Sequence, residues 1–498
     1  MDLFTIFVSL SFIIFLIQAF QLLKTRGEKL PPGPAGLPII GNLHQLGDQP
    51  HKSLTKLAKY YGPIMCLRLG QVNTVVISSS AVAKEVLQKQ DLAFSSRSIQ
   101  DASRCIDHVP YSVIYLPVSS KWRNMRKILN SNVFSGHSLD GSKEIRCRKV
   151  EELVESCRSK SRRGEAVDVG EAAFMTSLNL LSNTFFSRDV VDSFSNSSKE
   201  FKELIRKITE DNGKPNMSDF FPFLARFDPQ GIRHRMTINV TKLLDLLQGL
   251  IAEKLEKKKV EALDQHDAKK DVIDVLLDIS QQTPQEIDRK DVEHLCLDLF
   301  IAGTDTSSVT VEWAMAEVLK NPTVMKKAKA ELDEVIGKGK VIDEADISHL
   351  PYLRCLVKET MRLHTVVPFL IPRLVEKDVD VCGYVVPKNS QVFVNAWAIA
   401  RDPDNWTNPL EFKPERFLDS EVDVRGRDFE LIPFGAGRRI CPGLPLAMRM
   451  VPVMLGSLLN CFDWKLEGGI SAKELDMAEK FGITLQKAYP LRAVPLSL

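Results

Sequence analysis

Between Asp2 and Lys24 the chain carries no charge. Leu3–Leu23 is 21 residues, mostly Leu, Ile, Phe and Val. At 1.5 Å per residue a helix of that length spans about 31 Å, close to the hydrocarbon thickness of a bilayer. Residues 1–23 therefore read as one membrane-spanning segment, and the remaining 498 − 23 = 475 residues as a body that folds in water. No second long uncharged run occurs, which excludes a polytopic membrane protein. Lys24, Arg26 and Lys29 follow the run and only Asp2 precedes it. The positive-inside rule then puts the body in the cytosol. A cleaved signal peptide would need a basic start and a small-residue cleavage site, and neither is present, so an uncleaved anchor is expected.

Pro31, Pro32, Pro34 and Pro38 follow within eight residues. Prolines fix φ and lack the amide donor, so neither helix nor sheet runs through them. Residues 24–38 read as a stiff hinge, and 39–498 as the folded body. That body is globular by composition: 44% hydrophobic and 26% charged, which excludes a disordered or collagen-like chain. Lys and Arg exceed Asp and Glu by 66 − 64 = 2, so bulk charge points to no nucleic acid. The nine cysteines form no CxxC pair, which argues against a disulfide framework, a zinc site or an iron–sulfur cluster.

Residues about 62–80 alternate and are rich in β-branched types, so a hairpin is expected there. From about 120 to 365 the apolar period is mainly helical, and short strands are expected near 379–381 and 391–394. The fold class is mainly α with a minor β portion. One helix stands out. Asp288 and Asp291 can cap its start, and no proline interrupts before Pro322, which predicts about 30 helical residues. Its middle, Ala302-Gly303-Thr304-Asp305-Thr306-Ser307, is weak and polar for a helix. That predicts a local opening beside a hydroxyl and a carboxylate, where a ligand enters.

The sharpest signal is Phe434-Gly435-Ala436-Gly437-Arg438-Arg439-Ile440-Cys441-Pro442-Gly443. Glycines on both sides free the backbone to turn around one cysteine, and such a turn can aim amides at the sulfur. Arg439 adds positive charge. One thiolate without a second cysteine suits haem iron better than zinc. The spacing FxxGxRxCxG resembles the haem-binding signature of the cytochromes P450. Four further stretches resemble motifs of that family, in family order: Trp122-Arg123-Asn124-Met125-Arg126, Ala302–Ser307, Glu359-Thr360-Met361-Arg362 and Pro414-Glu415-Arg416-Phe417.

The resemblance implies a P450 fold with a long central helix over haem b, and Cys441 as the axial thiolate and metal ligand. It implies that Trp122, Arg126, Arg373 and Arg439, with Phe434, hold the cofactor, the guanidiniums meeting its propionates. Glu359, Arg362 and Arg416 become a structural triad. Asp305 and Thr306 become the pair that delivers protons when dioxygen is activated, which favours a monooxygenase over a P450-fold isomerase or dehydratase. No flavin- or NADPH-binding module is evident, so NADPH would act through a separate P450 reductase.

The anchor, the hinge and the wording of the motifs resemble plant endoplasmic-reticulum P450s that oxidise monoterpenols such as geraniol or abietane-type diterpenoids. A small apolar substrate is implied, a terpenoid first and a phenolic plant metabolite as the alternative. Candidate pocket residues by family analogy are Ala302, Val366, Phe369 and Ile483, within the stretches Ser98–Leu116, Leu297–Thr306, Val366–Leu370 and Phe481–Thr484. Thr365 and Val366 stand where the family often has prolines, and Phe369 is bulky, so a reshaped pocket wall is expected there.

Overall fold

A computed structural model describes residues 29–190, 196–261 and 270–498. The expected anchor and the start of the hinge lie outside the described residues. The proline segment forms no helix, and it is pinned to the sheet rather than standing clear of it. The Cys66 amide donates to the Pro32 carbonyl at 2.9 Å. A Cβ at Gly33 would come within 1.8 Å of the Cys66 oxygen, so only glycine permits this approach.

Helix α1, Pro50–Tyr61, leads into strands β1, Ile64–Leu69, and β2, Val72–Ile77, which pair antiparallel as the alternation predicted. Strand β3 is Ser96–Arg97. The helical stretch then runs through α2, Ser120–Ile128; α3, Lys143–Arg163; α4, Val169–Phe186; α5, Asn196–Gly213; α6, Ile232–Glu261; α7, Arg289–Lys320; and α8, Pro351–Leu363. Strands β4, Arg373–Leu374, and β5, Gln391–Val394, complete a five-stranded sheet of order β1-β2-β5-β4-β3. The β2–β5 pair is parallel. Strand β2 is therefore interior, which is why Thr74-Val75-Val76-Ile77 is buried on both faces. Helix α9, Leu444–Cys461, is apolar enough by composition to cross a membrane, but 67% of it is buried inside the body. It is a core helix.

Helix α7 is the axis of the fold. It spans 32 residues and starts on a capping box in which Asp288 and Asp291 each accept the other's amide. From Asp291 to Leu319 it is buried nearly all round, so no amphipathic stripe marks it. The expected local opening is not observed: the segment through Ala302–Ser307 is unbroken α-helix. The hydroxyls find their partners within the helix. Thr304, Thr306, Ser307 and Thr310 donate back to the carbonyls of Phe300, Ala302, Gly303 and Thr306, at 2.8–3.2 Å. Gly303 has a packing reason as well, since a Cβ there would stand 3.0 Å from Leu181 Cδ1 on α4.

Candidate active site

The cysteine loop is built by backbone geometry. Gly435 and Gly437 take φ of 69° and 68°, and the Cys441 amide closes the turn on the Phe434 carbonyl at 3.0 Å. A Cβ at Gly437 would lie 2.0 Å from the Leu87 carbonyl, so this residue must be glycine. Cys441 immediately precedes α9, and the amides of Gly443 and Leu444 point at its sulfur. Burial pushes the thiol up, while those two amides and the Arg126 guanidinium oppose it.

The sulfur faces a cavity of about 300 Å³. Its accessible surface, like that of Ala302, opens onto this cavity rather than onto bulk water. Trp122, Arg126, Arg373, Phe434 and Arg439 line the cavity, as do Thr306, Ala302 and Val366. The Trp122 ring lies under Arg439, 4.6 Å from the guanidinium carbon, and its indole N–H donates to the Val113 carbonyl at 3.1 Å.

Three expected site residues stand elsewhere. Asp305 is buried with its carboxylate turned from the cavity; Thr484 Oγ1 donates to it at 2.6 Å and Gln486 Nε2 at 3.1 Å. Burial pushes that carboxyl up, against those two hydrogen bonds. Phe369 stacks on Phe393 with ring centroids 5.1 Å apart, in a separate apolar cluster under the sheet. The cavity wall in this stretch is formed by Val366, Val367 and Leu370 instead. Ile483 packs against the end of α5, where a Cβ at Gly213 would meet its nitrogen at 2.6 Å.

Glu359, Arg362 and Arg416 come together away from the cavity. Arg362 donates twice to Glu359, at 2.7 and 2.8 Å, and Arg416 Nε donates at 3.0 Å. Arg362 also donates to the carbonyls of Ala400 and Pro409, both at 2.8 Å. Both members of the 359–362 pair are fully buried, so the group staples α8 to the loop before the cysteine turn.

Arg97 was not legible beforehand. It sits on β3 among serines and joins Arg126, Arg373 and Arg439 on the cavity wall. None of these four guanidiniums has a carboxylate ion-pair partner among the described residues. Their hydrogen bonds go mainly to backbone carbonyls, including Arg97 to Ile371 at 2.7 Å, Arg373 to Phe94 at 2.8 Å and Arg439 to Ser95 at 2.8 Å. Arg373 Nε is buried with no partner. Burial pushes Arg97 well down, and Arg373 and Arg439 down to about 10; repulsion from neighbouring guanidiniums adds to the fall of Arg97 and Arg439, while Asp91 opposes that of Arg373. Buried cations without anions are costly. The cluster fits a bound group that brings carboxylates, in a largely apolar cavity with one cysteine. That is the donor set for haem.

A haem-thiolate enzyme is the class this fold and cavity define. Residues 31–490 match the family model described as Cytochrome P450, and the chain belongs to that family. It is a P450 monooxygenase. It is 63% identical over 497 residues to a geraniol 8-hydroxylase of Swertia mussotii, covering 100% of this chain and 99% of the relative. It is 62% identical over 498 residues to a geraniol 8-hydroxylase of Catharanthus roseus, covering all of both. A geranylhydroquinone 3''-hydroxylase of Arnebia euchroma is 52% identical over 479 residues, 96% of each chain.

Proposed function

We propose that this protein hydroxylates a terpene alcohol, geraniol at its carbon 8 in the first instance, with electrons from NADPH through a separate reductase. Residues 1–23 anchor it in the endoplasmic-reticulum membrane, 24–38 form the hinge, and 39–498 face the cytosol as the catalytic body. The observation that carries the reading is the cavity itself. Outside the guanidinium cluster its wall is largely apolar, from residues such as Leu181, Leu299, Val366 and Val451. The two relatives above 60% identity bear the same activity in their names.

When bound, haem would supply an iron for dioxygen activation, with electron density donated by the Cys441 thiolate. The chain's own residues do the rest. Cys441 is the ligand, and the amides of Gly443 and Leu444 stabilise its negative charge. Arg97, Arg126, Arg373 and Arg439, with Trp122, take the cofactor's carboxylates. Thr306 gives its own proton to the Ala302 carbonyl, so its oxygen lone pairs are free to accept on the cavity side and hold a proton there. The apolar wall excludes water and orients the hydrocarbon chain.

The test is NADPH-dependent turnover of geraniol in microsomes that contain the chain and a plant reductase. One product, one oxygen heavier and carrying it at carbon 8, is expected. An intact thiolate band in the reduced CO spectrum with no geraniol product would discard the substrate and keep the haem enzyme.

A further inference from the structure

Asp298 is the single carboxylate among the residues lining the cavity. The candidate pocket stretch Leu297–Thr306 contains it, but sequence reasoning gave it no role of its own, although an acid inside Leu297-Asp298-Leu299-Phe300 is a conspicuous interruption. It lies on α7 eight residues before Thr306, about 12 Å along the axis at the standard rise. Leu299 and Ala302 fill the wall between with apolar surface.

Its carboxylate is 3% exposed and is held by one loop. His108 Nε2 donates to Oδ1 at 2.9 Å, and the Ser112 hydroxyl stands 3.0 and 2.9 Å from Oδ1 and Oδ2. His108 is braced in turn by His294, Nδ1 to Nδ1 at 2.8 Å, and Tyr111 stacks on the His294 ring. Burial keeps His294 neutral, with its pKa pushed down to about 4. With His108 Nδ1 on the His294 ring, its Nε2 is left to face the Asp298 Oδ1. Two protein hydrogens thus serve a carboxylate that has about four acceptor directions. The remaining capacity belongs to an acid on a cavity wall, where burial makes an unused charge-assisted bond valuable.

We propose that Asp298, positioned by His108 and Ser112, accepts the hydrogen bond of the substrate's hydroxyl and so decides which end of an elongated alcohol reaches Thr306 and Cys441. The inference rests on the terpene-alcohol reading and deepens it. Carbon 8 of geraniol is at the opposite end of the molecule from its hydroxyl. An anchor two helical turns from Thr306 would present that far end for oxidation. The same anchor gives a hydrocarbon lacking the hydroxyl no hold.

Asp298 also borders a smaller cavity of about 50 Å³ with Ser103, His108, Tyr115 and Asn212. The competing role is therefore a purely internal polar network. The experiment separates the two. Asp298→Leu and the isosteric Asp298→Asn are prepared as holoenzymes in microsomes with reductase, their fold checked by the reduced CO band. Two readouts are taken: the ratio of the dissociation constants of geraniol and its deoxy hydrocarbon, from the haem absorbance shift, and the position of oxygen in the geraniol products. The expected result is a loss of the alcohol's advantage by about tenfold or more in the leucine variant, a smaller loss in the asparagine variant, and oxygen spread over several carbons. If Asp298→Leu lacks the CO band, Asp298→Asn decides alone. An unchanged ratio and a single unchanged product, with wild type still oxidising geraniol, overturns the anchor and leaves the substrate assignment standing. Wild type that neither binds nor oxidises geraniol overturns the substrate assignment and the anchor with it.

Discussion

Thr306 and Asp305 are adjacent in the chain and do different work. Thr306 lines the cavity, with its proton committed to Ala302 and its oxygen open to a donor. Asp305 points the other way and is satisfied by Thr484 and Gln486. Proton handling on the cavity side thus rests on the threonine hydroxyl. Thr306→Ala should keep consuming NADPH while product per NADPH falls by about tenfold or more, with the difference appearing as hydrogen peroxide. Measured coupling in reconstituted microsomes checks this, and unchanged coupling would remove Thr306 from proton delivery. The neighbour's orientation was not legible in the sequence. Successive helical residues diverge by about 100°, and which of the two faces the cavity is decided by where the C-terminal segment docks. Cys441 was legible, because a turn that tight demands its glycines in the sequence itself.

At the scale of the element, α7 is clamped by the C-terminal segment along three successive contacts. Thr484 and Gln486 bind Asp305; the Trp313 indole N–H donates to the Leu485 carbonyl at 2.9 Å; and the Leu491 amide donates to Glu312 at 2.8 Å. Glu312 also packs against α4, where a Cβ at Gly170 would come within 2.8 Å of its carboxylate. Burial pushes the Glu312 carboxyl up to about 7, against the Leu491 amide and Lys487, with Asp168 and Asp305 adding to the rise. The sign follows from the proton count. Between about pH 4.5 and 7 the folded chain keeps a proton that the unfolded chain has lost, so stability falls as pH rises. Over that window the group removes about 3 kcal/mol. Glu312→Gln keeps the acceptor for Leu491 and cannot ionise. Its midpoint of thermal inactivation should fall less than that of wild type between pH 5 and 7.5. Parallel curves for the two proteins would show that Glu312 does not titrate in this range. The length and caps of α7 were readable from Asp288, Asp291 and Pro322. The clamp was not, because residues 172–181 apart meet only after the sheet and α9 have placed the C-terminus.

On the scale of the whole molecule, the proposed anchor raises the question of how the body would sit on a membrane. Ile40 and Phe220 meet at the β1–β2 turn: the Gly70 amide donates to Ile40 at 3.1 Å and the Gln71 amide to Phe220 at 2.8 Å. The chain on either side of that junction is apolar and exposed, with Leu37, Ile39 and Ile40 on one side and Phe223 and Phe227 on the other. Large exposed apolar side chains gathered in the two segments that flank one junction are uncommon on a protein wholly in water. It adjoins the proline segment that follows the uncharged run 3–23 in the sequence. Both observations are met if this face rests in the bilayer surface, with the anchor entering beside it. Arg226, exposed between the two phenylalanines, reports on the contact. In microsomes carrying the full chain, trypsin should cut after Arg226 much more slowly than after Arg425, which is exposed near the cysteine loop. Phe223→Ser together with Phe227→Ser should abolish that difference while the anchor keeps the protein in the pellet. Equal cutting at both arginines in the wild type would mean that this apolar face does not touch lipid, and that the anchor alone holds the body at the membrane.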